Sequence, residues 1–244
     1  MLLPLTLIVK ILRIQPKGVL HIGAHEAEES RTYQELGWDN VIWLDAQESL
    51  VNKLIDLLPI NNSIYHAAVW DVDNELLELK VASNSQSTSL LNFGTHEKNY
   101  PNISFNSIEI VKTSRIDTMF ENLSSNNFVN LDIQGAEGRA LRGFGKLLSN
   151  IDYLYTEVNS EEVYEDCDLV GDLDDLLLPF GLVRVVTRWV PSKGWGDALY
   201  LRNPVRWRMI ILKICLFPSG LAFRINEYWH LLFNKIKFVI NRND

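Results

Sequence analysis

From residue 18 onward, short uninterrupted apolar runs alternate with stretches of helical periodicity. A strand that is apolar on both faces has to be covered on both, which is the arrangement of a mostly parallel sheet between two helical layers. Gly18 to Gly23 reads as a first strand running into a turn, and residues 26–36 suit a helix stopped by Gly37, where a left-handed cap is least strained. Val41 to Asp45 is a second buried strand, followed by a helix over Ser49–Leu58 that Pro59 ends; Ile64 to Val69 is a third. The rhythm then changes. Leu77–Ala82 and Ile108–Ile116 have the pattern of half-exposed strands, separated by a polar stretch from Ser83 to Ser89 and a loop through Pro101, and are read as an insertion beside the main sheet. Alternation resumes with Phe128–Ile133, a helix after Gly135, a strand over Ile151–Val158 and a helix near Asp172–Leu178. Leu182–Trp189 and Ala198–Arg202 close the sheet. The link from Pro191 to Asp197 is too short for a crossover helix, so these two strands must pair antiparallel. The expectation is an α/β fold with a seven-stranded, mostly parallel sheet, an antiparallel last strand and helices on both faces.

Charge is distributed unevenly along the 244 residues. Seven Lys/Arg against Glu227 and Asp244 give residues 204–244 a charge of +5, which leaves −13 of the net −8 on residues 1–203. An acidic body of this kind speaks against nucleic acid as a partner, because phosphate neutralisation needs a basic face. Two cysteines, Cys167 and Cys215, make neither a disulfide framework nor a zinc cluster, which points to a reducing compartment, the cytoplasm. The apolar opening from Met1 to Val9 lacks a leading positive charge and reads as a packed helix rather than a signal peptide. The division expected is an N-terminal helix over 1–15, the α/β domain over 16–203 and a basic amphipathic helical tail over 204–244. Residues 205–240 mix Arg206, Arg208, Lys213, Lys235 and Lys237 with Trp207, Tyr228 and Trp229, split by Pro218-Ser219-Gly220. Protein packing is the reading preferred for this tail, and a peripheral contact with an anionic membrane surface is its alternative.

In an open α/β sheet, ligands bind beyond the carboxyl ends of the strands, near the point where strand order reverses. The turn His21-Ile22-Gly23-Ala24-His25-Glu26 has one glycine where the backbone must bend and let a ligand approach. It lacks the three-glycine dinucleotide pattern, since His25 and Glu28 stand at the second and third glycine positions. Glu26, Glu28 and Glu29 crowd the start of the next helix, where they would repel a pyrophosphate. They suit S-adenosylmethionine, which carries a sulfonium and an ammonium against one carboxylate; the same glutamates also complement a helix dipole. Asp45 ends the second strand, where a carboxylate can accept both ribose hydroxyls of an adenosine ligand. Ala67-Ala68-Val69 ends the third with small residues that leave room for an adenine ring. Asp71 could reach the exocyclic amine or start a turn with Asp73 and Asn74, the reading its neighbours favour. Histidine spacing, including His21 with His25, gives no metal set.

Three segments together resemble the FkbM-type methyltransferase family: Gly18 to His25, His66 to Val69, and Asn130-Leu131-Asp132-Ile133-Gln134-Gly135-Ala136-Glu137. The Asp-Ile-Gln-Gly-Ala-Glu run is the most specific of the three, and the resemblance covers roughly residues 16–202. It implies a Rossmann-like class I fold that uses S-adenosylmethionine to methylate a hydroxyl oxygen of a sugar, glycan or secondary metabolite. His21 departs from the acid common at its position, and Ala27 from a glycine. The resemblance and the topology together put Asp132 close to the transferred methyl group. Glu157, after the fifth strand, is either the proton acceptor, a ligand of the acceptor hydroxyl or a cap for the loop at Asn159 and Ser160; Glu137 reads as structural. Gly23, Ala24, His25, Asp45, Ala68 and Asp71 are then the cofactor residues, and Asp132 and Glu157 the catalytic pair. Ser87-Thr88-Ser89-Leu90 could order over the site, Trp195 could stack on a sugar face or seal the core edge, and Asp197 could fix its turn. The rival readings are a non-catalytic module of the same fold and a nicotinamide oxidoreductase.

Overall fold

The computed structural model describes residues 1–59 and 62–216. In chain order the elements are α1 (Leu5–Leu12), β1 (Val19–Ile22), α2 (Ser30–Glu35), β2 (Val41–Asp45), α3 (Glu48–Leu57), β3 (Ser63–His66) and β4 (Ala68–Val69). Next come β5 (Leu76–Ala82), α4 (Thr95–Asn99), β6 (Phe105–Ser114), α5 (Ile116–Met119), β7 (Phe128–Leu131) and α6 (Glu137–Gly143). The remainder is β8 (Tyr153–Asn159), α7 (Val170–Leu177), β9 (Leu182–Trp189), β10 (Trp195–Arg202) and α8 (Arg206–Leu216).

Seven strands form the main sheet in the order β3-β2-β1-β7-β8-β10-β9, and β4-β6-β5 form a second, three-stranded sheet. The strands from β3 to β8 run parallel, while β10 is antiparallel to both β8 and β9, as the short link between the last two strands requires. Strand order reverses between β1 and β7, which places the crevice at their carboxyl ends.

The continuous apolar character of these strands follows from burial on both faces. Along β1, β7, β8 and β10, residues alternate between two cores. Val19, Phe128, Tyr155, Leu199 and Leu201 face one, which α1, α3 and α8 cover with Ile8, Leu54, Met209 and Leu212. Leu20, Val129, Leu154, Ala198 and Tyr200 face the other, covered by Leu141 of α6 and Leu173 and Leu177 of α7.

Several boundaries differ from the sequence expectation; β6 and β10 each begin three residues early, at Phe105 and Trp195. Residues 26–29 are turns rather than helix, because His25 (φ 46°) and Ala27 (φ 53°) are left-handed and α2 cannot begin before Ser30. The apolar run Ile64–Val69 is two strands: His66 pairs with Asp45 in the main sheet, whereas Ala68 pairs with Thr113 in the second. The polar stretch and long loop between β5 and β6 lie beside the main sheet, as read from the sequence. No described helix is long and apolar enough to cross a membrane. Of the basic tail, α8 packs Met209 and Leu212 into the first core; the segment from Pro218 onward, with Tyr228, Trp229, Lys235 and Lys237, lies outside the described residues.

Candidate active site

The carboxyl ends of β1, β2, β7 and β8 open into a cavity of about 420 Å³, roofed by the segment from Asn84 to Leu90. Gly23 forms its floor with a φ of +84°. A Cβ at this position would stand 1.8 Å from the carbonyl oxygen of Asp132, so β1 and β7 meet here at a distance only glycine permits. The chain then turns through His25, whose backbone N–H donates to Asp45 Oδ2 at 2.9 Å, while the N–H of Gln47 donates to Asp45 Oδ1 at 2.8 Å. Each carboxylate oxygen keeps a lone pair, so Asp45 both fixes the turn and can accept from a ligand. Burial holds its carboxyl above the ordinary value, opposed by those two N–H donors.

Opposite this turn lies a cluster of acids. Gln134 Nε2 donates to Asp132 Oδ1 at 2.6 Å and to Glu157 Oε2 at 3.3 Å, and its Oε1 accepts from Tyr164 Oη at 2.7 Å. Gly135, at φ +99°, lets that loop pass the Tyr164 ring, whose carbons lie 2.8 Å from where a Cβ would be. Asp197 of β10 pairs across the sheet with Glu157 and accepts a short hydrogen bond from Tyr155 Oη. Glu157 and Asp197 are 5% and 4% exposed, whereas Asp132 is open to water in the cavity. Enclosure by the cavity walls, then the charge of Asp197, push Asp132 up to about 6. Glu157 is held well above the carboxylate range by burial and by Asp132, Glu137 and Asp197. The six carboxylates lining the cavity are Glu28, Glu29, Asp45, Asp132, Glu157 and Asp197; no described lining residue is a lysine or arginine, and Met1 contributes an α-ammonium 3.6 Å from Glu29. Such a lining has a deficit of positive charge that a cationic ligand would fill.

The cavity brings together Gly23, His25, Asp45, Ala68, Asp132 and Glu157. It does not include Ala24 or Asp71. Ala24 is fully buried in the first core, with its N–H on Leu44 O. Asp71 points away from the cavity: its Oδ2 accepts from Arg139 Nη1 at 3.0 Å, which joins the β4 end to α6 and removes this residue from the adenine side. Glu137 is structural as expected. Its carboxylate accepts from the N–H groups of Ile133 and Gly135 at 2.9 and 3.0 Å and so holds the Gln134 loop. His21 is among the residues lining the cavity, but its ring is buried, stacked on Trp43 at 4.7 Å with its Nδ1 3.2 Å from Tyr33 Oη, and burial lowers it to about 4. A neutral imidazole packed among aromatics therefore takes the place of an acid.

The methyltransferase FkbM domain matches residues 21–183, more than half of the chain. The chain belongs to the FkbM methyltransferase family. Over 154 residues it is 29% identical to the 2-O-methyltransferase NoeI of Sinorhizobium fredii, a match that covers 62% of the chain and 55% of that relative. The chain thus spans little more than half the length of this relative. Among solved structures, a magnesium protoporphyrin IX methyltransferase of Synechocystis with bound S-adenosylmethionine matches 81% of the chain and 77% of its own length, at TM-score 0.44 and 11% identity. A putative tRNA methyltransferase of Streptococcus pneumoniae matches 99% of each chain at TM-score 0.45 and 12% identity. Likenesses this distant carry no argument about ligand or chemistry.

Several residues that line the cavity were given other roles, or none, from the sequence. Asp197, read from the sequence as fixing the turn before the last strand, lies inside β10, where a buried carboxylate in an otherwise apolar run demands a partner. Tyr155 had the same signal in β8. Tyr164, on a loop, and His96, on the five-residue α4, had none. The roof from Ser87 to Leu90 does line the cavity, with Ser89 Oγ donating to Gln134 O at 2.7 Å. Trp195 lines it too, donating its indole N–H to Tyr100 Oη at 3.0 Å.

Proposed function

We propose that this chain transfers a methyl group from S-adenosylmethionine to a hydroxyl oxygen of a small-molecule or glycan acceptor. The observation that carries the reading is the cavity at the strand-order reversal, lined by six carboxylates and by no described lysine or arginine. A pyrophosphate cofactor would meet repulsion there, which disfavours the nicotinamide alternative. A ligand with a sulfonium and an ammonium meets attraction.

The residues fit the cofactor. Asp45 offers its remaining lone pairs to ribose hydroxyls, the bend at Gly23 admits the backbone closely, and Ala67 and Ala68 leave room for a flat ring. Bound there, the cofactor supplies a methyl group already activated by positive sulfur. Asp132 stands nearest the reaction and favours that positive charge electrostatically. Glu157, tied to Asp132 through the Gln134 amide, is placed to hold the acceptor hydroxyl. The Asn84–Leu90 roof excludes water and orients the acceptor, which supplies most of the rate for a displacement of this kind. The 2-O-methyltransferase name of the relative is consistent with an oxygen acceptor.

Calorimetry with S-adenosylmethionine and S-adenosylhomocysteine on wild type and Asp45→Ala tests this reading. Micromolar-scale binding should weaken by about 1.5–3 kcal/mol in the variant, as expected for losing a charged hydrogen-bond acceptor. Wild-type protein that binds neither ligand refutes the proposal, and cofactor binding without methyl transfer to any hydroxyl supports the non-catalytic module instead.

A further inference from the structure

Part of the cavity lining, from His96, Tyr100, Tyr164 and Trp195, is aromatic. His96, on α4, stacks on Phe93 with centroids 4.1 Å apart and rings 14° from parallel, and Tyr100 and Tyr164 lie 4.9 and 5.5 Å from it. Phe93 stacks in turn on Phe105 at 3.9 Å, which locks the imidazole plane. The α4 backbone is held as well, since the N–H of His96 donates to Val163 O at 3.1 Å.

Every other titratable side chain lining the cavity is already engaged. His25 uses both ring nitrogens, on Glu28 and Ser85; Asp132 and Glu157 share Gln134; Asp197 holds Tyr155; Tyr164 holds Gln134. His96 is 4% exposed and lines the cavity, yet neither ring nitrogen has a hydrogen-bond partner among the described residues, and Nδ1 is sealed from solvent. Buried polar atoms of this kind are paired in the great majority of cases. Nε2 is not among the sealed atoms, so it is the nitrogen through which this fixed imidazole can accept a hydrogen bond from a ligand in the cavity.

We infer that His96 receives the acceptor hydroxyl and takes its proton. This rests on the methyltransferase reading of the same cavity. As the acceptor oxygen bonds to the methyl carbon, the carbon–sulfur pair passes to sulfur, the hydroxyl proton moves to the imidazole, and the imidazolium then loses it to water. Burial lowers the basicity of His96, so the ring is neutral and able to accept at neutral pH. The titratable groups facing it are Tyr100 and Tyr164, with Glu157 and Asp132 beyond the Gln134 amide, and Glu97 and Lys98 are exposed on its own helix. Asp132 then keeps its role of favouring positive charge, which a carboxylate that had taken the acceptor's proton would give up, and Glu157 its role of holding the acceptor oxygen.

The test uses the full chain saturated with S-adenosylhomocysteine and a set of methyl pyranosides as hydroxyl probes. In histidine-ring nitrogen NMR, the His96 signal should move on pyranoside addition. His96→Gln should bind S-adenosylhomocysteine within about twofold of wild type and pyranoside about fivefold more weakly. Its transfer of labelled methyl to the bound pyranoside should fall about 100-fold, and His96→Ala should be partly rescued by added imidazole. An unmoved His96 signal with every pyranoside overturns the inference, as does turnover by His96→Gln within threefold of wild type. Failure of wild type to bind S-adenosylhomocysteine overturns the methyltransferase reading instead, so the two failures are separable.

Discussion

The two sides of the cavity are built in different ways. The Gly23–Asp45 side comes from two adjacent parallel strands and the turns that follow them, so each residue's place is set by strand order alone. The opposite side gathers Ser87 and Ser89 from the roof, His96 from α4, Tyr164 from the loop after β8 and Asp197 from an antiparallel strand. The first side is rigid scaffold of the kind that binds a constant cofactor. The second is assembled over long sequence separations, partly on loops, where variation alters the cavity lining without disturbing the sheet.

Substitution at Gly23 should break this contrast most severely. Gly23→Ala places a Cβ into the Asp132 carbonyl at a positive φ, so the cost should exceed about 2 kcal/mol of stability, with S-adenosylmethionine binding lost. Urea unfolding and calorimetry read both effects. Retention of wild-type affinity would show that the bend is not where the cofactor sits.

A pH titration sharpens the comparison next. Asp132 is raised to about 6, so the ligand-free cavity takes up a proton as pH falls through that value. A cationic ligand favours the ionised carboxylate, hence affinity for S-adenosylmethionine should rise by up to about tenfold between pH 5 and 7.5. In Asp132→Asn most of that slope should vanish; an unchanged slope would assign the proton to another group. The same raised value has an opposite consequence for folding. Asp132 contributes stability below its unfolded value near 3.8 that is lost as pH rises through about 6, and Asp132→Asn should remove this contribution to the pH dependence of unfolding in the ligand-free protein.

Trp195→Ala should separate the two sides functionally. The indole N–H binds Tyr100 on the acceptor wall, far from the Gly23 turn. Methyl transfer should fall about tenfold or more with S-adenosylhomocysteine affinity changed less than twofold. Equal losses in both would mean that the walls act as one unit. Smallest of all should be Asp71→Asn. Its carboxylate pairs with Arg139, which is 43% exposed, so cofactor affinity should be unchanged and stability lowered by less than about 1 kcal/mol.

This division also explains how far the sequence could be read. Alternating periodicity revealed the parallel strands, and with them the strand-end positions of Gly23, Asp45 and Asp132, because burial on both faces leaves a continuous apolar run that stops at the active edge; Glu157, expected after its strand, lies inside β8. It did not reveal the division of Ile64–Val69 between two sheets, since hydrophobic pattern says nothing about which partner a strand pairs with. Nor did it show that helix α2 starts late, a matter of two left-handed residues neither of which is glycine. Asp71 looked like its neighbours at other strand ends, yet Arg139 and Arg142, distant in sequence, turn it outward. His96 of α4 and Tyr164 of the loop after β8 meet only through packing of segments distant in sequence, which leaves no local signal.

The most direct trial of the central claim, that this crevice selects a positively charged nucleoside over a phosphorylated one, is parallel calorimetry of the full chain with S-adenosylmethionine and with NADH at pH 7.5. The account predicts micromolar-scale binding of the first and none of the second at millimolar concentration. Tighter binding of NADH would contradict it.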